Sequence, residues 1–138
     1  MSRSGGRRRR GRELALRALF ELEGTEKDPR AVLSYQGEEL EAPADVAAFA
    51  RRLVDGTLEH IGTIDSAITG ASLHWDLVDL GKVERAVLRL GVFELLYQSA
   101  TPVAVSIDES LELARVYAGE EAVPLVNGVL GQIARERQ

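Results

Sequence analysis

A chain of 138 residues, 45% apolar and 28% charged, reads as one packed domain, large enough for a core and too small for two catalytic domains. It has no cysteine, which excludes disulfides, thiolate chemistry and cysteine-ligated zinc. No apolar run reaches the ~18 residues a membrane span needs, so no membrane contact is expected and the cytoplasm is the expected compartment. The net charge of −5 is unevenly spread: Arg3, Arg7, Arg8, Arg9, Arg10 and Arg12 fall within the first twelve residues, where there is no acid. That segment stands at +6 and the rest, Glu13 to Gln138, at −11.

Residues 1–12 predict a flexible Arg-rich arm on a Gly/Ser backbone. Guanidinium is planar, permanently charged and matched to phosphate oxygens, so a block of it points to a polyanion. Glu13, Arg17, Glu21 and Glu23 interrupt the apolar stretch behind it, so no signal-peptide core follows. An acid-poor, Arg/Ser-rich start is also shared with organellar transit peptides. Residues 13–23 place Leu14, Ala15, Ala18, Leu19 and Leu22 on one helical stripe. Leu16 and Phe20 fall off it, either buried by a second layer or exposed for a partner.

Asp28-Pro29 predicts the next helix start, an N-cap acid followed by proline at the first helical position. That helix runs to about Leu40 and is expected to be interrupted at Gly37. Pro43 opens another, whose stripe of Val46, Ala50, Leu53, Ile61, Ile64 and Ile68 continues to about Gly70, with Gly56 and Gly62 as expected bends. His74-Trp75-Asp76 reads as a break, with Trp75 a core wedge. Val83 to Tyr97 is apolar on nearly every side, the pattern of a helix at the centre of a bundle. Ser106-Ile107-Asp108-Glu109 has the spacing of a capping box opening the next helix. Pro124 starts the last one, whose seam is Leu125, Val126, Val129, Leu130 and Ile133, with Gly128 and Gly131 on the same face for close approach. The fold class is all-α, with six or seven helices and short connections.

Catalytic patterns are missing. His60 and His74 are the only histidines and have no metal-ligand spacing. No serine sits in a G-x-S-x-G turn, and no glycine-rich loop is followed by the lysine that holds nucleotide phosphates. The chain reads as a non-enzyme with neither metal nor cofactor.

Three segments together resemble the NusB family of bacterial transcription antitermination factors. The first is Arg7-Arg8-Arg9-Arg10-Gly11-Arg12-Glu13 leading into Ala18-Leu19-Phe20. The second is Val83-Glu84-Arg85-Ala86-Val87-Leu88-Arg89-Leu90, continuing through Phe93-Glu94-Leu95. The third is Ile107-Asp108-Glu109-Ser110-Leu111-Glu112-Leu113-Ala114-Arg115, followed by Val126-Asn127-Gly128-Val129-Leu130. The similarity runs from about Arg7 to the C-terminus.

The resemblance implies two packed three-helix bundles, about 13–75 and 76–138, behind the 1–12 arm, and no enzymatic activity. It implies binding of single-stranded box A RNA in nascent ribosomal RNA leaders, together with NusE, a small-subunit ribosomal protein. The pair joins RNA polymerase in a complex that resists termination, and some members form homodimers. By position, Arg7, Arg8, Arg9, Arg10 and Arg12 match the RNA-contacting arm and Phe20 an aromatic on the first helix. Glu121 matches an acid near the RNA surface, Leu125 replaces an aromatic there, and Glu84 matches the acidic side presented to NusE. A rival reading is a helical protein-interaction module whose basic arm docks on an acidic partner. On the arm hypothesis, removing residues 1–12 weakens RNA binding and leaves the melt unchanged, because the arm contributes no core.

Overall fold

The computed structural model describes residues 3–72 and 77–137, and among these seven α-helices form and no strand does. They are α1 (Arg3–Leu22), α2 (Pro29–Glu39), α3 (Ala44–Glu59), α4 (Ile61–Ala71), α5 (Lys82–Tyr97), α6 (Val103–Tyr117) and α7 (Val123–Glu136). The chain divides into two compact units, Met1–Gly56 and Thr57–Gln138, with the boundary inside α3. This lies earlier than the division near residue 75 expected from the sequence, because α4 packs on α5 and α7 of the second unit. No helix among the described residues is long and apolar enough to cross a membrane.

The first unit corrects the expectation of a flexible arm. The arginines belong to α1, which begins at Arg3 and runs unbroken through Gly6 and Gly11 into the apolar stripe. Arginine is a good helix former, and tertiary contacts described below fasten this stretch. The stripe is buried as expected: Leu14, Ala15, Ala18, Leu19 and Leu22 are at most 8% exposed. Of the two residues off it, Leu16 is buried and Phe20 is exposed.

Asp28 caps α2 by accepting a hydrogen bond from the Arg30 amide at 3.1 Å. Gly37 does not interrupt the helix, which continues to Glu39. Its C-terminus closes with the Ala42 amide donating to the Gly37 carbonyl and the Glu41 amide to the Glu38 carbonyl. This closure places Glu41 at φ +51°, a left-handed conformation that is unfavourable for a residue with a Cβ. Glu21 fastens α1 to α2, accepting from Gln36 at 2.9 Å and pairing with Lys27 at 3.0 Å.

In the second unit α5 packs against α4, α6 and α7, and Ala86 to Leu95 is buried apart from Arg89. Arg89 reaches out to Asp65 of α4 through two parallel bonds, Nε to Oδ1 at 2.8 Å and Nη2 to Oδ2 at 2.9 Å. The break between α3 and α4 falls at His60 rather than at Gly56 or Gly62. The His60 ring stacks on Tyr97, with centroids 4.0 Å apart and planes 14° apart, so a tertiary contact sets the corner.

Ser106 opens no helix. It is buried inside α6, which starts three residues earlier because the Val105 and Ser106 amides both donate to the Pro102 carbonyl. The close approach foreseen at Gly128 occurs instead at Gly91. A Cβ there would lie 2.6 Å from Ser110 Oγ and 3.1 Å from Leu130 Cδ1, whereas Gly128 faces open space. The readings on His74, Trp75 and Asp76 lie outside the described residues.

Candidate nucleic-acid interface

Arg8 and Arg12 are four residues apart on α1, so their side chains emerge on one face. Gly11 lies beside them, and its missing side chain admits the ring of Phe49 from α3: a Cβ on Gly11 would sit 2.5 Å from Phe49 Cδ2. Around that ring gather three guanidinium groups, with Cζ atoms 4.7 Å (Arg8), 5.6 Å (Arg12) and 5.5 Å (Arg52) from its centroid. Cations within about 6 Å of a ring face are attracted by its quadrupole, each by roughly 0.5–1 kcal/mol at partly exposed sites. One aromatic ring thus holds three like charges close together.

The arrangement depends on the register of α3. Asp45, Phe49 and Arg52 recur at four- and three-residue spacing, along one face of a helix. Asp45 lies in the first turn of α3, where the helix dipole favours a carboxylate. Arg7 donates from Nη1 to both Asp45 oxygens, at 2.8 and 3.0 Å, and both side chains are more than half exposed. Arg7, Arg8, Asp45, Phe49 and Arg52, with Val46 and Ala48, line an open groove of about 310 Å³.

The arginines of the block divide into two kinds. Arg7, Arg8, Arg9 and Arg10 are exposed, whereas Arg12 is 3% exposed and belongs to the packing around Phe49. Arg10 donates through Nη2 to the carbonyls of Leu40 at 3.2 Å and Glu41 at 3.3 Å. It thereby satisfies the carbonyls just past α2, at the C-cap Leu40 and the left-handed Glu41, a role basic residues commonly fill at helix C-termini. Residues 10–12 therefore contribute to the fold of the first unit. The expectation that removing residues 1–12 leaves the melt unchanged is corrected accordingly, because that deletion uncovers Phe49 and removes the cap on α2.

Phe20 lies twelve residues beyond Arg8 on the same helix, about 18 Å along its axis at 1.5 Å per residue, so α1 does not bring it to the groove. Glu121 and Leu125 belong to the second unit. Glu121 is exposed in the 3₁₀ turn Glu120–Ala122, its carboxylate over Gly119. Gly119 needs its φ of +107° to turn the chain out of α6. Leu125 is half-buried in the first turn of α7. Glu84 is half-buried in the first turn of α5, its carboxylate folded back over Gly81.

Sequence reasoning missed Asp45, Phe49 and Arg52. Their shared helix face was available as a signal, but only the pairing of α1 with α3 shows that the face meets the arginine block. Among the described residues no cluster of three or more His, Asp or Glu side chains is placed to hold a metal ion.

The NusB family profile matches residues 9–135. The chain is 42% identical to a transcription antitermination protein NusB of Exiguobacterium sp., over 94% of this chain and 98% of that protein. It is also 42% identical to the protein of that name from Heliobacterium modesticaldum, over 94% of this chain, and it spans 63% of that relative's length. The fold superposes with a TM-score of 0.87 on a crystal structure of the antitermination factors NusB and NusE in complex with dsRNA, at 31% identity over 95% of this chain and 98% of that one.

Proposed function

The chain belongs to the NusB family of transcription antitermination factors, and from that premise we propose that it acts without catalysis, binding box A of nascent ribosomal RNA leaders together with NusE and helping RNA polymerase resist termination. The observation that carries the RNA-binding part is the groove in which Arg7, Arg8 and Arg52 converge around Phe49. Support for the partner comes from the superposed NusB and NusE complex, which contains RNA.

A run of guanidinium groups fixes the backbone of a nucleic acid strand; it does not read bases. Selectivity for a single-stranded element therefore has to come from base edges and stacking surfaces elsewhere on the protein or on its partner. On this reading Arg7, Arg8, Arg9 and Arg52 hold phosphates, while Arg10 and Arg12 position the helix that carries them. Phe20, Glu121 and Leu125 remain candidates for contacts beyond the groove, and Glu84 for the face presented to NusE. A homodimer that covers the groove would make RNA binding depend on protein concentration.

The test is a gel-shift titration with leader RNA and a scrambled control, with and without NusE, repeated across salt concentrations. Four phosphate contacts correspond to a slope of log K against log[salt] of roughly −3, at about 0.7 per contact on single strands. A slope near zero overturns the groove as an RNA site. No preference for leader RNA in either condition favours the protein-interaction module, whose basic helix docks on an acidic partner.

A further inference from the structure

We propose that Asp45 is a built-in competitor for the phosphate site: its carboxylate occupies the Nη1 donors of Arg7 while the groove is empty, and a strand gains those donors only by displacing it. The inference rests on the reading of the groove as an RNA site. Carboxylate and phosphate oxygens compete for the same guanidinium donors, and both Asp45 oxygens lie within 3.0 Å of Arg7 Nη1. The acid is not a loose neighbour. It is anchored in the first turn of α3, one helical turn before Phe49, on the face that carries Arg52.

The strength of the pair suits this role. Both side chains are more than half exposed, and ion pairs of that kind are weak enough for a polyanion to open. Displacement subtracts a similar amount of binding from every strand, whatever its sequence. Weak, sequence-independent binding is thereby lowered about two- to fivefold. A strand held additionally by base contacts or by a protein partner stays bound. The device sets a threshold without reading sequence, which is the part the arginines cannot supply themselves.

The experiment compares wild type with Asp45→Asn, Arg7→Ala and the double variant, using leader and scrambled RNA in salt titrations. Asp55→Asn provides the same charge change about 15 Å along α3, at 1.5 Å per residue, on a carboxylate paired with Arg51 at 3.6 Å. Asp45→Asn is expected to tighten both RNAs by about two- to fivefold, the range set by exposed ion pairs. Their ratio stays unchanged, and so does the salt slope, because the bound strand holds Arg7 in both proteins. In the Arg7→Ala background that gain disappears.

A gain of equal size without Arg7, or an equal gain from Asp55→Asn, shows general charge repulsion and overturns the proposal. Unchanged or weaker binding by Asp45→Asn in a protein with a wild-type melt overturns it too, while leaving the groove intact as an RNA site. Wild type that binds neither RNA removes the groove reading, and the competitor with it.

Discussion

Two glycines, one in each unit, perform the same packing task with opposite consequences. Gly11 lets the Phe49 ring against α1, and Gly91 lets Ser110 and Leu130 against α5. In the second unit the close approach is dry: Leu130, Leu88 and Val92 around it are at most 1% exposed. In the first unit the ring admitted by Gly11 becomes a platform for guanidinium groups at the surface. The charge follows the same division. Residues 1–56 carry eleven bases and ten acids, and residues 57–138 six bases and twelve acids. A tight helix contact is thus neutral as to function. What matters is whether the admitted side chain ends among aliphatic groups or offers a π-face to cations.

This comparison is broken most directly by truncating the admitted side chains. Leu130→Ala is expected to lower stability by about 3–4 kcal/mol, the usual range for a buried leucine. Well below its melting temperature, the variant should bind RNA within about twofold of wild type. Phe49→Ala is expected to cost about 3 kcal/mol and also to weaken RNA binding by up to about tenfold in fully folded protein, because the guanidinium groups of Arg8 and Arg52 lose their support. Denaturant melts paired with gel-shifts at low temperature check both, and equal effects of the two variants on RNA would erase the distinction.

Filling the glycines gives the next largest effects. Gly91→Val should cost about 2–3 kcal/mol through overpacking against Leu130. Gly11→Ala gains about 1 kcal/mol of helix propensity, which offsets part of the strain from the Phe49 contact, so the net loss should be near 1 kcal/mol. Only the Gly11 variant should disturb RNA binding, since only there does the displaced side chain carry the arginines.

Replacing both Arg8 and Arg52 with alanine should weaken RNA binding by roughly tenfold and flatten the salt slope by about 1.4, two contacts at about 0.7 each. Stability should fall by only about 1–2 kcal/mol, two cation–π contacts at roughly 0.5–1 kcal/mol each. A large fall in melting temperature would assign these arginines to the fold instead.

The smallest effect concerns acid stability. Gln36, and after it Lys27, hydrogen-bond the Glu21 carboxylate and hold its pKa below the ordinary glutamate value. A carboxyl lowered on folding stabilises the native state at pH values above its unfolded pKa, and that contribution is lost as pH falls through the folded one. Glu21→Gln should therefore melt slightly below wild type at neutral pH and converge with it in acid. A difference that grows on acidification would reverse the assignment.

The all-helical architecture, the α1 stripe from Leu14 to Leu22, the Asp28 cap, the central position of α5 and the seam of α7 are legible along the chain. Each follows from a local periodicity or a short-range hydrogen bond. The concentration of cations in residues 7–10 is legible too, and with it the expectation of a polyanion. Several features were settled by contacts between distant segments. The arginine block became helix because Gly11 and Arg12 pack on Phe49 and Arg10 caps α2, some 30 residues away. The corner between α3 and α4 sits at His60 because a ring from α5 stacks there, and the close approach went to Gly91 because its face, unlike that of Gly128, meets another helix. The groove depends on the same kind of information: Asp45, Phe49 and Arg52 lie on one face of α3 by sequence alone, but only the meeting of α1 and α3 joins them to Arg7 and Arg8. Helical periodicity acts over three to four residues and can be read along a chain, whereas a site shared by two helices depends on which faces meet when the core closes.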